Sequence, residues 1–589
     1  MNATLTLARD FLAEDPDPTT RGELEGLLAR VATGDDVARR LVDDAFAGGL
    51  TFGTAGLRGV MGAGTNRMNR VVVMKASWGL GTYLLESGAA FDVNARERGV
   101  VIGFDGRRGS RRFAEDTAAV LCGLGIPVAV FADPVPTPVC AFAVSSLNAA
   151  AGVMVTASHN PPADNGYKVY WANGAQIIPP HDKGIAACIA RAPRVPAMTR
   201  LGLPAAAATG LRRRVPDDVE RAYLAGVKAA SLHPGIGRTE SLSLVYTAMH
   251  GVGHRFVLRA LEDAGFERVF GVPEQSDADH TFHTVAFPNP EEPGALDLAL
   301  AAAHEVDADL VLANDPDADR IAVCARARNG VGYTMLSGNE VGVLLCADAL
   351  ACANTGSQQK LVITTIVSST WLSRIAADLG AAYAEVLTGF KWIANAAIAA
   401  TEQGRSFVGG YEEALGVSVG PLVRDKDGVS AAVRVAELAA ALRAEGKTLW
   451  DRLDELAVAH GLSRALQWSI VLPGSEGQTQ IVSLMRALRE SPPSALGGAE
   501  ITQRIDLSAS PAPGFEGSPL PNSDVLVFHD ATGTRLTVRP SGTEPKIKMY
   551  LEAVARVGTV AELETVSRVL DEKLEAIRGE LSHRLGLSP

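Results

Sequence analysis

Three times in succession the sequence alternates short runs rich in β-branched residues with amphipathic stretches of helical length. That alternation is the mark of βαβ units building a largely parallel sheet, and it restricts the chain to an α/β architecture. The first round reads as strands at 100–104, 128–131 and 152–155 with a helix near 113–122. The second has strands at 242–246 and 309–313 with helices near 256–264 and 296–305, and the third has strands at 361–366, 383–386 and 407–409 with helices between them. Segments 467–472 and 536–538 read as strands around long helical stretches, which predicts a smaller C-terminal α+β domain. At 589 residues, and roughly 100–200 residues per domain, four domains are expected, with boundaries 1–214, 215–329, 330–455 and 456–589. A Pro-, Ala- and Arg-rich stretch at 193–216 reads as the first boundary, and the Ser- and Pro-rich 508–522 as an exposed loop inside the last domain.

Composition removes whole classes of function. A net charge of −12 with 5% aromatic residues argues against nucleic acid, whose binding needs basic surface and often stacking rings. The longest apolar runs, such as 341–353, fall short of the roughly 18–20 residues of a membrane span. Residues 1–15 lack the basic flank of a signal peptide. Six cysteines without a CxxC pair read as buried free thiols in a reducing compartment. The expectation is a cytoplasmic protein, monomer or homodimer, with a small anionic ligand and no membrane partner.

In doubly wound sheets ligands gather at the loops beyond the carboxyl ends of the strands, and three unusual loops follow strands here. After the strand ending at Ala313 come Asp315, Asp317 and Asp319, with Arg320 behind them. In extended backbone these alternate residues project to one side. At about 5 Å and an effective dielectric near 20, each like-charge pair costs about 3 kcal/mol, so a cation or splaying into water must relieve the loop. All-oxygen ligation suits Mg²⁺ or Ca²⁺. An EF-hand is ruled out because its sixth and twelfth positions hold Arg320 and Arg326.

After the strand at 152–155 comes TASHNPP, whose prolines stop any helix and predict a tight exposed turn presenting Ser158. A Ser/His hydrolase competes for this turn. Chain neighbours seldom reach each other as nucleophile and base, however, and the GxSxG elbow is missing. A third loop, RPSGTEPK at 539–546, joins two strands. Two hydroxyls, a glycine and an arginine able to bind two oxygens at once form an anion cradle there. Gly446-Lys447-Thr448 lacks the upstream glycine of a P-loop, and no GxGxxG occurs, which weakens kinase and dehydrogenase readings.

Together, TFGTAGLRG at 51–59, TASHNP at 156–161, DPDADR at 315–320, GYEEALG at 410–416 and RPSGTEP at 539–545 resemble, in order, the motifs of the α-D-phosphohexomutase family, which includes phosphoglucomutase and phosphomannomutase. The resemblance implies four domains arranged as a heart. It implies that Ser158 is a phosphoserine and that Asp315, Asp317 and Asp319 bind one Mg²⁺ together with the serine phosphate, beside Arg320. Glu412, with Glu413 nearby, would grip sugar hydroxyls, while Arg539, Ser541, Gly542 and Thr543 would hold the non-reacting substrate phosphate. Arg58 and Arg320 would stabilise charge in transfer, and His159, Lys168 and Lys391 are candidates for the general acid and base.

The implied activity is a phosphosugar mutase passing through a bisphosphorylated sugar, with a sugar 1,6-bisphosphate as activator. Ala414, where glucose-type members usually carry serine, together with GTAGLRG and RDKDG at 424–428, is more similar to the branch with phosphopentomutases and glucose-1,6-bisphosphate synthases. Glucose, mannose, ribose and deoxyribose phosphates are all compatible substrates. The alternatives are a sugar 1,6-bisphosphate synthase and a non-catalytic sugar-phosphate binding protein, which would need neither the serine nor the metal.

Overall fold

The computed structural model describes residues 3–53, 56–472, 474–509, 520–541 and 546–586, with no side-chain description at 474–476 and 478. Most of the loop expected at 508–522 lies outside these residues. The chain forms two compact units, residues 1–335 with 421–436, and residues 336–420 with 437–589. Four sheets are present among the described residues, the first three mixed and largely parallel in their central strands, the last antiparallel.

In the first unit, the strand Val100–Phe104 sits at the centre of a six-stranded sheet with all five residues buried, as a parallel strand covered on both faces requires. It pairs in parallel with Val128–Val130 on one side and Ala151–Val155 on the other. The strand Asp164–Trp171 was not anticipated, because Asn165, Gly166 and Lys168 interrupt its apolar pattern. It runs antiparallel between Ala151–Val155 and Leu57–Val60, and all but its first residue are buried. Gly166 is required there: a Cβ would stand 2.4 Å from the carbonyl oxygen of Thr156. Nor is the stretch at 193–216 a bare linker, since Leu203–Ala208 is helical and Arg212–Arg214 adds a parallel edge strand beside Val128–Val130.

The second sheet places Ser243–Thr247 between the parallel strands Arg268–Gly271 and Leu310–Ala313, and Ala322–Arg326 then returns antiparallel. Residues 421–436 also belong to this unit. Tyr170 Oη and Gln176 Nε2 each donate to Asp425 Oδ2 at 2.7 Å, and Tyr223 Oη donates to Asp427 Oδ1 at 2.7 Å. Hydrogen bonds from these side chains to the buried Asp425 and Asp427 carboxylates fix the segment in place.

In the second unit, Lys360–Thr365 is flanked in parallel by Ala382–Val386 and Ser406–Glu412, with Gly416–Val419 antiparallel at the edge. The last sheet is six-stranded, with Lys546–Ala555 between Leu462–Val471 and Arg535–Pro540. Five of the six cysteines are buried free thiols; Cys352, the last residue of the helix Gly338–Cys352, is exposed, contrary to the reading of all six as buried. That helix opens on a capping box in which Ser337 and Glu340 satisfy each other's backbone amides.

The same helix lies unusually close to Ser406–Glu412. A Cβ on Gly342 would stand 2.2 Å from the Tyr411 ring, and one on Gly338 would stand 2.0 Å from the Glu413 carbonyl oxygen. Gly→Ala in an exposed helix interior normally stabilises by about 1 kcal/mol. Here Gly342→Ala should act in the opposite sense, destabilising by about 1–3 kcal/mol through overpacking against a ring with no room to retreat. Denaturant unfolding of the full chain reads the sign, and an unchanged or raised midpoint would contradict the close approach.

Candidate active site

The strand Ala151–Val155 delivers the Ser158 turn and the strand Leu310–Ala313 delivers the aspartate loop, and within the first unit the two meet. Ser158 takes φ +52°, a left-handed conformation that folds its side chain back over the turn. Its Oγ donates to Asp315 Oδ2 at 2.7 Å and lies 3.2 Å from His159 Nδ1. The turn is exposed at Pro161, but Ser158 itself is not presented to solvent: it is 3% accessible, with the aspartate loop against it. Chain neighbours do reach each other here, again through the positive φ, yet the serine proton is directed to a carboxylate.

Asp315, Asp317 and Asp319 each offer an oxygen, and these atoms lie within 4.8 Å of one another. The loop achieves this as a turn, not as extended chain: Ala318 has φ +53° and its N–H donates to the Asp315 carbonyl at 2.8 Å. All three carboxylates are at most 1% exposed. Lys168, on the unanticipated antiparallel strand, places Nζ 2.7 Å from Asp317 Oδ2 and 2.8 Å from Asp319 Oδ2. Thr137 Oγ1 donates to Asp317 Oδ2 at 2.6 Å, and Lys426 Nζ stands 3.2 Å from Asp319 Oδ2.

Burial, followed by the charges of Asp317 and Asp319, raises the proton affinity of Asp315 well above the carboxylate range. The same burial opposes ionisation of Asp317 and Asp319, but Lys168 with Thr137 for the first, and Lys168, Lys426 and Arg320 for the second, outweigh it and hold both below their usual values. Burial depresses His159 well below the ordinary histidine value, with Arg320 and Arg58 acting in the same direction, so its imidazole is neutral. Lys168 shows the reverse: Asp317 and Asp319 overcome burial and keep the ammonium charged.

The trio fits a hard divalent cation. Asp317 Oδ1 and Asp319 Oδ1 are buried and accept no hydrogen bond, so oxygen lone pairs face the interior with nothing to satisfy them. Carboxylate oxygens as the whole donor set match a hard ion.

Arg58, on the strand Leu57–Val60, donates from Nη1 to Asn160 Oδ1 at 3.0 Å and so borders the serine turn, while Arg320 lies 4.0 Å from Asp319. Sequence reasoning missed Arg107. Its guanidinium donates to the carbonyls of Ser158, of Asn160 at 2.6 Å and of Pro161 at 2.9 Å, clamping the turn from beneath. Also missed were Thr137 and the role of Lys426, which stands in a segment read only as a mark of a family branch. Asp105, just after a strand end and 3.4 Å from the Arg107 guanidinium, is the sequence signal that could have marked this loop and was not read.

The other expected residues lie in the second unit. Glu412 ends the strand Ser406–Glu412, where its Oε1 accepts from the Gly389 N–H at 2.7 Å. Glu413 follows; Thr365 and Ser368 hydroxyls each donate to its Oε2 at 3.3 Å, while burial and then Glu412 raise its pKa. Lys391 sits in the first turn of the helix Phe390–Glu402, with Nζ 5.9 Å from the Trp392 ring centre. Arg539 donates from Nη2 to Tyr550 Oη at 3.1 Å, and its buried Nε makes no hydrogen bond. The Ser541 N–H donates to the Lys546 carbonyl at 2.8 Å. Gly542 and Thr543 lie outside the described residues.

Models of the phosphoglucomutase/phosphomannomutase alpha/beta/alpha domains I, II and III match residues 49–195, 221–330 and 337–459, and that of the C-terminal domain matches 494–565. The chain belongs to the phosphoglucomutase/phosphomannomutase family. It is 37% identical over 580 residues to human phosphopentomutase, covering 94% of this chain and 92% of that protein. Human glucose 1,6-bisphosphate synthase is 36% identical over 602 residues, covering 97% and 93%. These are the two groups to which Ala414 and its neighbours pointed. The phosphoglucomutase parafusin of Paramecium, in its open form, superimposes with a TM-score of 0.65 at 17% identity over 90% of this chain and 95% of its own, a likeness of fold alone. The family is one of phosphomutases, and the chain is an enzyme of that isomerase class. Among the described residues no helix is long and apolar enough to cross a membrane.

Mg²⁺ at 100 times its dissociation constant should stabilise the protein by about 2.7 kcal/mol if it binds only the folded state. The variant carrying Asp317→Asn and Asp319→Asn should lose that stabilisation. Thermal unfolding with and without Mg²⁺ measures it, and an equal upward shift in both proteins would remove the trio as the site.

Proposed function

We propose that the enzyme is a phosphosugar mutase that moves a phosphoryl group between the 1-hydroxyl and the 5- or 6-hydroxyl of a pentose or hexose, with phosphorylated Ser158 as the carrier. The observation that carries this reading is the 2.7 Å contact between Ser158 Oγ and Asp315 Oδ2, which joins the hydroxyl to the buried carboxylate trio.

Asp315, Asp317, Asp319 and the phosphate on Ser158 would hold one Mg²⁺. When bound, it would neutralise the carboxylates and stabilise charge on the transferring phosphoryl oxygens.

The bond from Ser158 Oγ to phosphorus breaks as a sugar hydroxyl oxygen bonds to that phosphorus, giving a sugar bisphosphate and a free serine. The bisphosphate turns over in the site and its other phosphoryl group returns to Ser158 Oγ, freeing the isomeric monophosphate. A sugar 1,6-bisphosphate therefore serves as activator. Each transfer requires a base for the attacking hydroxyl and an acid for the leaving one. His159, neutral and 3.2 Å from Ser158 Oγ, is suited to proton exchange at the serine. Lys168, held charged by two carboxylates, is suited to offset phosphoryl charge together with Arg58 and Arg320. Glu412 and Glu413 would accept hydrogen bonds from sugar hydroxyls, with Lys391 beside them. Arg539, Ser541, Gly542 and Thr543 would bind the phosphate that is not reacting.

The likeness to human glucose 1,6-bisphosphate synthase favours one second reading, in which Ser158 is loaded from a separate phosphoryl donor and the bisphosphate is released. A mutase needs catalytic traces of bisphosphate, whereas a synthase consumes its donor mole for mole.

Ser158→Ala should lower turnover by about 10³-fold or more while leaving the unfolding midpoint near that of the parent chain. Near-normal isomerisation by this variant would reject the phosphoserine. A panel of ribose, deoxyribose, glucose and mannose 1-phosphates ranked by kcat/KM, with a limiting trace of glucose 1,6-bisphosphate, identifies the sugar. Pentose phosphates are expected to lead, and stoichiometric loss of a donor would select the synthase instead.

A further inference from the structure

Beyond the carboxylate trio, a second group of metal-ligating side chains stands in the first unit: His250, Asp279 and His283, whose ligand atoms lie within 4.8 Å of one another. His250 follows the strand Ser243–Thr247, which is the parallel neighbour of the strand that delivers the aspartate loop. Asp279 and His283 lie on the connection after Arg268–Gly271, the parallel neighbour on the other side.

The arrangement is built into the backbone. The Asp279 N–H donates to the His250 carbonyl at 3.1 Å, which ties the two loops together. Thr281 donates from its N–H to Asp279 Oδ1 at 2.9 Å, its hydroxyl lies 2.9 Å from both Asp279 oxygens, and Oδ2 also stands 2.9 Å from His283 Nδ1. His250 Nε2 lies 2.8 Å from Thr284 Oγ1, a contact that holds the ring in its orientation. The rings of His250 and His283 stand 4.5 Å apart, centre to centre. Between Asp279 and His283 the Phe282 ring, 2% exposed, anchors the loop beneath the Arg107 guanidinium. Met249, His250 and Phe282 all hold positive φ, at +50°, +60° and +48°. Such strain persists only where surrounding structure imposes it, and it marks functional loops more often than ordinary ones.

Two ligand atoms, each about 2.0–2.1 Å from a tetrahedral zinc, are about 3.3 Å apart, close to the separation already held between Asp279 and His283. Two imidazole nitrogens and one carboxylate oxygen are the donors of a borderline metal. His283 is exposed and His250 buried, so an ion entering from solvent would meet an inner wall already oriented.

We propose that His250, Asp279 and His283 form a binding site for a borderline divalent transition metal, zinc foremost, with a fourth position open to water or a small anion. The site is separate from the three aspartates in both residues and ligand chemistry, and it does not depend on the mutase reading.

The test uses the full chain in excess Mg²⁺, so that the hard-oxygen site is occupied. Titration calorimetry with Zn²⁺ should show one ion bound per chain, and Co²⁺ should give the visible absorption of a tetrahedral nitrogen- and oxygen-ligated ion. His283→Ala, at an exposed position, should weaken Zn²⁺ binding at least tenfold and abolish the cobalt absorption, with turnover in Mg²⁺ unchanged. Asp279→Asn should weaken binding likewise, whereas Asp317→Asn should leave it intact. Zn²⁺ binding in His283→Ala and Asp279→Asn equal to that of the parent chain would overturn the proposal, as would its loss in Asp317→Asn alone.

Discussion

Lys168 is the point on which the first unit turns. Its ammonium is buried between Asp317 and Asp319 and contacts both at hydrogen-bonding distance. The lysine belongs to the first sheet and the aspartates to the loop after the second, so one buried charge joins two independently wound layers. Removing it would break the buried ion pair to Asp317, a loss of about 3–5 kcal/mol for a broken buried pair, while Asp319 would keep Lys426 at 3.2 Å. Thr137 makes the same connection with a neutral group, its hydroxyl and its N–H both donating to Asp317.

This arrangement explains why the cost of three converging anions falls on Asp315. Asp317 and Asp319 have cations against them; Asp315 has the Ser158 hydroxyl and the Arg320 N–H, both neutral donors, at 2.7 and 3.0 Å. The oxygen that most wants a positive charge is therefore the one that touches the serine. A cation bound by the trio and a dianionic phosphate on Ser158 would answer each other's charge at that contact, which is why the two functions belong in one place.

Much of this was legible in sequence because strong signals coincided. The central strands at 100–104, 152–155 and 310–313 are continuous apolar runs, and the loops that follow them hold residue types that strands and helices disfavour. What escaped detection did so for definite reasons. The strand Asp164–Trp171 carries Asn165, Gly166 and Lys168, polar or small residues that break a period-two pattern, and they are there because the strand lines the site. Arg107 lies in a loop with no motif of its own, and its importance comes from four carbonyls distant in sequence, those of Ser158, Asn160, Pro161 and Asp164. In the segment 421–436, residues 428–436 open the helix Gly428–Ala444, whose remainder belongs to the second unit, so the continuous helical pattern did not show that its start packs with the first unit. The turn expected around Ser158 is exposed at Pro161, but the serine is buried, because a local reading of prolines does not see the loop that covers it.

The second sheet also shows how one scaffold can keep two ion chemistries apart. The loops after the adjacent parallel strands Ser243–Thr247 and Leu310–Ala313 touch, with the Val252 N–H donating to the Pro316 carbonyl at 2.9 Å and no room for a Cβ at Gly251 against Pro316. On one loop the side chains offered are imidazole, and on the other they are carboxylate alone. Borderline metals prefer the first set, and Mg²⁺, reluctant to exchange water for nitrogen, prefers the second. Selectivity between the two proposed sites would then follow from their donor atoms, supplied for one by the turn at His250 and the connection carrying Asp279 and His283, and for the other by the turn at Ala318.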